Sequence, residues 1–332
     1  MSRYTAVHAD TKGPGDARPT ALQIIKDEGL EEKRQGQIFV ITGVSSGIGI
    51  ETVRAIAATG ATLYLTARDL DKAKTALNGI FDPSRMELFQ MDQGSLASVR
   101  AAAAGILEKT SKVHCLIANA GIMAIPDLRF TEDGHELQFG TNHLSHFLFF
   151  QLLKPAILAA ASPDLPSRVV VLSSSGHNIH GINDSDNYAF EHGGYEPNVA
   201  YAQSKTANIY MANEIERRYG AQHLHATSVH PGIIATGLTR HMPPDAFKGM
   251  EHIYPMMKSV EQGAATTVWA AVGEAWKHDG GKYLVDCDIA KASVAGDDKI
   301  VGLGYAPHAY DIEQAKRLWK DSNNLVGLED EE

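Results

Sequence analysis

The sequence predicts one α/β domain, a doubly wound parallel sheet with helices covering both faces. Three observations carry that expectation. Seven short β-rich runs alternate with helix-like segments between residues 37 and 287. The runs are almost wholly apolar, as strands buried on both faces must be. No internal repeat, low-complexity tract or Pro/Gly/Ser linker breaks the alternation. Right-handed crossovers between such strands then wind the sheet outward in both directions.

The runs, in order, are QIFVITG (37–43), ATLYLTA (61–67), MELFQMD (86–92), VHCLIANA (113–120), RVVVLSSS (168–175), HATSVHPG (225–232) and GKYLVDC (281–287). Segments such as SLASVRAAAAGILEKT and YAQSKTANIYMANEIERRYG between them are rich in Ala, Leu and charged residues, which favours helix. The domain is expected over 36–322. Residues 1–35, the first twenty of which carry no apolar run, read as a mobile N-terminal tail. Residues 323–332, ending GLEDEE, read as an acidic, solvated C-terminal one.

Composition narrows the function classes. The chain has 332 residues, 44% hydrophobic and 21% charged, with 30 Lys+Arg against 40 Asp+Glu for a net charge of −10. That balance disfavours nucleic acid as a partner, since tracking phosphates requires a basic surface. Two cysteines cannot build a disulfide framework or a Cys-rich zinc site, and they suit a reducing compartment. There is no membrane span and no signal peptide, so the expected location is cytoplasmic.

Ligands on such a sheet bind beyond the carboxyl ends of the strands, so the residues just after each run are the candidates. The first run enters Gly43-Val44-Ser45-Ser46-Gly47-Ile48-Gly49 and then a helix. Glycines at that strand-to-helix turn permit close approach of a phosphate, and the helix N-terminus supplies free N–H groups and partial positive charge. Ser45 and Ser46 add hydroxyl donors. The turn is therefore read as the phosphate site of a Rossmann-type dinucleotide fold. Two other readings stand beside it. One is a purely structural turn. The other is a hydrolase elbow, Gly-x-Ser-x-Gly, with Ser45 as nucleophile and His230 as a later partner. No HGGG-type segment precedes it, and Ile48-Gly49 has no role in that scheme.

The second run is followed by Arg68-Asp69. An arginine accommodates a ribose 2′-phosphate, whereas an acid grips a 2′-hydroxyl. Arg68 comes first, which favours NADP(H) over NAD(H), and Asp69 fits a helix cap. The third run ends in Asp92-Gln93, which suits either an adenine edge or a cap. The fourth ends in Asn119-Ala120-Gly121, small enough for a flat ligand to lie against the backbone. The fifth presents Ser173, Ser174 and Ser175. Downstream, Tyr201 and Lys205 stand four apart and so share a helix face. An ammonium beside a phenol favours the phenolate and lowers a pKa near 10, which makes tyrosine usable as an acid/base.

Together these elements resemble the short-chain dehydrogenase/reductase family. The matching residues are Thr42-Gly43-x-x-x-Gly47-Ile48-Gly49, Asn119-Ala120-Gly121, Asn142, the serine after the fifth strand, Tyr201-x-x-x-Lys205 and Pro231-Gly232-x-x-x-Thr236. HELQFGTNHLSHF, RVVVLSSSGH and EQGAATTVWAA are similar to the retinol-dehydrogenase-like branch, without the membrane anchor common there. The resemblance implies roles. Tyr201 is the general acid/base, and Lys205 lowers its pKa and holds the nicotinamide ribose. Ser174 hydrogen-bonds the carbonyl, with Ser173 and Ser175 as adjacent alternatives. Asn142 completes a relay through water to Lys205. Asn119, Asp92 and the Pro231–Thr236 loop, including Gly232 and Ile234, hold the cofactor.

One departure from the family pattern stands out. Ser174 and Tyr201 are 27 positions apart, about twice the family's common spacing. Loops at 176–200 and 237–260 are expected to cover the substrate. The Met and aromatic content of 237–260 fits an apolar substrate, lid packing, or a subunit contact in a homo-oligomer. The His143-x-x-His146 and His177-x-x-His180 pairs lack a third ligand, so no metal is expected. His146 and Phe147–Phe150 read as core helix, and Cys115 as inert core. The expected function is an NADP(H)-dependent oxidoreductase acting on a small-molecule carbonyl or secondary alcohol. The rivals are a dinucleotide-binding protein without catalysis and a serine hydrolase using Ser45.

Overall fold

The computed structural model describes residues 2–242, 251–294 and 302–329, so residues 243–250 of the expected substrate-covering loop lie outside the described residues. The chain runs α1 (Ala21–Asp27), β1 (Ile38–Thr42), α2 (Ile48–Ala57), β2 (Thr62–Ala67), α3 (Leu70–Ala76), β3 (Met86–Gln90), α4 (Leu96–Lys109) and β4 (Cys115–Ala118). It continues with α5 (Leu137–Phe139), a π-helical turn (Gly140–Leu144), α6 (Ser145–Ala160), β5 (Ser167–Leu172), α7 (Pro197–Tyr219) and β6 (Leu224–His230). Last come α8 (Val260–Gly263), α9 (Ala265–Val272), β7 (Lys282–Val285), β8 (Asp288–Ile289) and α10 (Ile312–Leu325).

The strands form one sheet in the order β3-β2-β1-β4-β5-β6-β7-β8. Strands β1 to β7 pair in parallel, and only the two-residue β8 runs antiparallel at the edge. The order reverses between β1 and β4, so the carboxyl ends of β1, β4 and β5 meet in one crevice. Side chains alternate across the sheet as strand geometry requires. Phe39, Ile41, Leu63, Leu65 and Ile117 face α1, α2 and α9, where Ile24, Val53, Ile56 and Val268 are fully buried. Val40, Leu116, Val169 and Val171 face α4, α6, α7 and α10, with Phe147, Phe149, Phe150 and Trp319.

The N-terminal region is not a tail. Thr20 caps α1 by accepting from the Gln23 N–H, and Ile24 and Ile25 are fully buried in the core. Arg18 is buried, pairs with Asp16 at 2.8 Å, and donates to the Gly13, Pro255, Met256 and Met257 carbonyls. The missed signal is short: apolar Ala21, Ile24 and Ile25 at helical spacing behind a Thr cap. The C-terminal boundary also moves. α10 runs to Leu325, and Asn323 and Val326 are buried. The amphipathic pattern of Ala315, Leu318, Trp319 and Ser322 carries the helix past residue 322.

Candidate active site

The glycine turn and the fourth strand end approach too closely for side chains. A Cβ on Gly43 would lie 2.7 Å from the Ala120 Cα, and one on Gly49 would lie 2.2 Å from the Gly43 carbonyl oxygen. Gly43 and Gly47 also hold φ of +74° and +62°, where L-residues are strained. Gly47 caps α2 without a side-chain bond, and Thr236 lies 3.6 Å from where its Cβ would be. The Ser45 and Ser46 hydroxyls have no hydrogen-bond partner among the described residues. Ile48 and Ile234 both pack over Gly263. Gly232 takes φ +104° against the Lys258 stem. The same loop is tied down by Lys258, which bridges Ile234 and donates to the Pro231 carbonyl at 3.4 Å.

Thr42 is the hub beneath this turn, a role sequence reasoning missed. Its Oγ1 accepts from the Asn119 and Ala120 N–H groups at 2.9 and 3.0 Å and donates to His146 Nε2 at 2.8 Å. His146 Nδ1 in turn donates to the Asn142 carbonyl at 3.0 Å. Asn119 Nδ2 donates to the Thr42 and Gly43 carbonyls, leaving its buried Oδ1 without a partner among the described residues. Asn142 sits in the π-helical turn, a feature often found at functional sites. Its Oδ1 accepts from the Ile122 N–H, and its Nδ2 donates to the Ile122 carbonyl and to Ser204 Oγ. The side chain is thus a brace, and its Oδ1 and Lys205 Nζ both flank Gly121, 3.2 and 3.5 Å from where a Cβ there would lie.

The outer strand ends are looser. Arg68 is exposed with no ion pair among the described residues, while Asp69 caps α3 by accepting from Lys72 N–H at 2.9 Å. Asp92 Oδ1 accepts from Gly94 N–H, and Ser95 caps α4. Gln93 Nε2 is buried without a partner among the described residues.

The structure separates the three serines. Ser173 Oγ donates to the Lys205 carbonyl at 2.8 Å, and the Ser175 N–H is bound by His230. The Ser174 hydroxyl and the Tyr201 ring flank Gly176, 3.4 and 3.1 Å from where a Cβ there would lie, and of the three serines it is Ser174 that acts on the phenol. Lys205 Nζ lies 5.5 Å from the Tyr201 ring centroid and donates to the Leu172 carbonyl at 3.1 Å. Gly121 lies beside it, a Cβ there falling 3.5 Å from Nζ. The expected pKa lowering of the phenol is not found. Burial pushes Tyr201 up to about 12, against a smaller lowering by Ser174, and burial pushes Lys205 down to about 8. In a buried pair without a carboxylate, desolvation of each group outweighs their mutual attraction.

The long segment between Ser174 and Tyr201 is better packed than its polar composition suggests. Tyr188 and Phe190 are buried. Tyr188 stacks on Phe139 with centroids 5.1 Å apart and donates to Asp321 at 2.7 Å. Tyr195 donates to the Ile125 carbonyl at 2.7 Å.

The family model for short chain dehydrogenases matches residues 37–246. The short-chain dehydrogenase/reductase prx1 of Penicillium roqueforti is 46% identical over 329 residues, covering 98% of this chain and 95% of that protein. Human retinol dehydrogenase 13 is 34% identical, covering 89% and 86%. A crystal structure of a protein from Mycobacterium paratuberculosis superposes with TM-score 0.68 at 31% identity, covering 89% of this chain and 95% of that one.

This chain belongs to the short-chain dehydrogenase/reductase family. It falls in the branch similar to retinol dehydrogenases, and its role is that of a dehydrogenase or reductase using a nicotinamide dinucleotide. The short-chain dehydrogenase fold observed here fits that cofactor: the Gly43–Gly49 cradle excludes Cβ atoms, and Asn119, Gln93, Ser45 and Ser46 keep unspent polar atoms along the crevice. The hydrolase reading falls, because His230 Nδ1 accepts from Ser175 and no bond joins His230 to Ser45 among the described residues. Among the described residues no His/Cys/Asp/Glu group could hold a metal, and no helix is long and apolar enough to cross a membrane.

Proposed function

We propose that this enzyme transfers hydride reversibly between NADP(H) and an apolar carbonyl or secondary alcohol. The observation that carries the reading is the grouping of Ser174, Tyr201 and Lys205 at the carboxyl end of β5: the Ser174 hydroxyl and the Tyr201 ring flank Gly176, and the Lys205 ammonium lies 5.5 Å from the ring centroid. The nicotinamide supplies the hydride. In reduction Tyr201 gives its proton to the developing alkoxide, and a phenol that titrates near 12 holds that proton at neutral pH. Ser174 steadies the negative charge on the substrate oxygen. Lys205 remains largely protonated below about pH 8 and, standing next to Gly121, is the group that would hold the nicotinamide ribose.

Arg68, exposed and without an ion pair among the described residues, supports a 2′-phosphate. The commitment of Asp69 to capping α3 removes the competing acid. Half-buried Met256 and Met257, with a human relative named for retinol, support an apolar substrate. The test is oxidation of NADPH and NADH with straight-chain aldehydes from hexanal to decanal and with cyclic ketones. Tyr201→Phe should lose at least about 10²-fold in kcat, and a mutant as fast as the wild type overturns the mechanism. Arg68→Ala should weaken NADPH binding more than NADH binding. An unchanged ratio of the two dissociation constants overturns the cofactor assignment.

A further inference from the structure

We infer that His177 and His230 are positioning residues that clamp the Ser174–Ser175 peptide from its two ends and so aim the Ser174 hydroxyl. The inference rests on the role proposed for Ser174 above. The Ser174 carbonyl accepts from His177 Nδ1 at 2.7 Å and from the His177 N–H at 3.1 Å. The Ser175 N–H donates to His230 Nδ1 at 3.1 Å. That carbonyl and that N–H belong to one rigid planar unit. Fixing both ends fixes the rotation of the plane, and with it ψ of Ser174, which stands at 155°. The Ser174 Oγ also accepts from the Gly176 N–H at 3.1 Å.

The hydrogen bonds dictate opposite tautomers. His177 Nε2 accepts from the Ala306 N–H at 3.1 Å, so Nδ1 carries the proton. His230 Nδ1 is the acceptor, so its proton is on Nε2, which is buried without a partner among the described residues. Burial keeps both rings neutral, pushing them down to about 4 and about 3. His177 also joins the clamp to the C-terminal segment. Its carbonyl accepts from His308 Nε2 at 2.9 Å, and Asn178 Nδ2 donates to the Gly304 carbonyl at 3.1 Å. The histidine of the LSSSGH run thus buttresses the strand-end serine.

Two substitutions separate the contacts of His177. His177→Asn places an amide near the Nδ1 position and keeps the donor to Ser174. His177→Gln reaches the Nε2 position, keeps the contact to Ala306 and loses that donor. With the aldehyde and nucleotide that turn over fastest in the panel above, Asn should retain kcat within about threefold. Gln should lose about tenfold or more in kcat, with nucleotide dissociation constant unchanged. In a Ser174→Ala background the Gln substitution should cost nothing further, because the group it aims is gone. Equal kcat for His177→Gln and wild type, or an undiminished loss in the Ser174→Ala background, overturns the inference. Ser174→Ala at wild-type rate would instead sink the reading of Ser174. Independently of activity, long-range proton–nitrogen correlation spectra of the full chain at pH 7 should show His177 protonated on Nδ1 and His230 on Nε2. The same tautomer at both rings, or an imidazolium at either, overturns the clamp.

Discussion

Acidification from pH 7 to pH 5.5 should destabilise this fold by about 3 kcal/mol, and the figure follows from five buried groups. His143, His146, His177 and His230 are all buried, and burial lowers them from 6.5 to about 3, 4, 4 and 3. Each folded pKa lies below its unfolded value, so between about pH 6.5 and pH 4 the unfolded chain binds the proton and the folded one does not. Stability is therefore lost as the pH falls through that window. By linkage each histidine costs about 1.2 kcal/mol between pH 7 and 5.5, about 5 kcal/mol for the four. Glu136 acts in the opposite sense. Burial raises it from 4.5 to about 7, so the folded state takes up its proton first and gains about 1.6 kcal/mol over the same interval. The net loss of about 3 kcal/mol is a large share of a typical 5–15 kcal/mol stability. Trp269, Trp276 and Trp319 are buried, so their fluorescence reports unfolding in urea at the two pH values. The midpoint should fall markedly, and the thermal midpoint should drop by roughly 4 °C. A urea midpoint that does not move between pH 7 and 5.5 would refute the claim that these histidines are held neutral.

Three further outcomes are expected. Gly49→Ala forces a Cβ to within 2.2 Å of the Gly43 carbonyl, so the turn must open. Nucleotide affinity should fall at least about tenfold by fluorescence titration, and unchanged affinity would contradict the tight-turn account. Lys258→Met removes a buried ammonium and leaves the largely enclosed Asp286, 2.6 Å away, without its close counter-charge. Loss of one partner of a buried pair should cost about 3–5 kcal/mol in chemical unfolding, and a loss under about 1 kcal/mol would show the pair is solvated. Ile24→Ala should cost about 2–5 kcal/mol by the same measurement. A mobile N-terminal tail would instead give a change near zero.

The sequence by itself determined the sheet, the glycine turn and the Tyr201–Lys205 pair. Strand and helix periods are local, and a run such as RVVVLSSS marks a buried strand whatever lies beside it. It also determined that a serine would stand at the end of β5, but not which one. That choice is tertiary: the Ser173 hydroxyl is spent on the Lys205 carbonyl, and it is Ser174 that acts on the Tyr201 phenol. The same holds for the packing of residues 2–35, whose few apolar side chains gain their value from α2 and α9 rather than from one another. Spacing alone does not set the protonation of Tyr201. Four residues on a helix bring an ammonium near a phenol, but only the folded protein removes the water around both, and desolvation outweighs proximity in setting their pKa values.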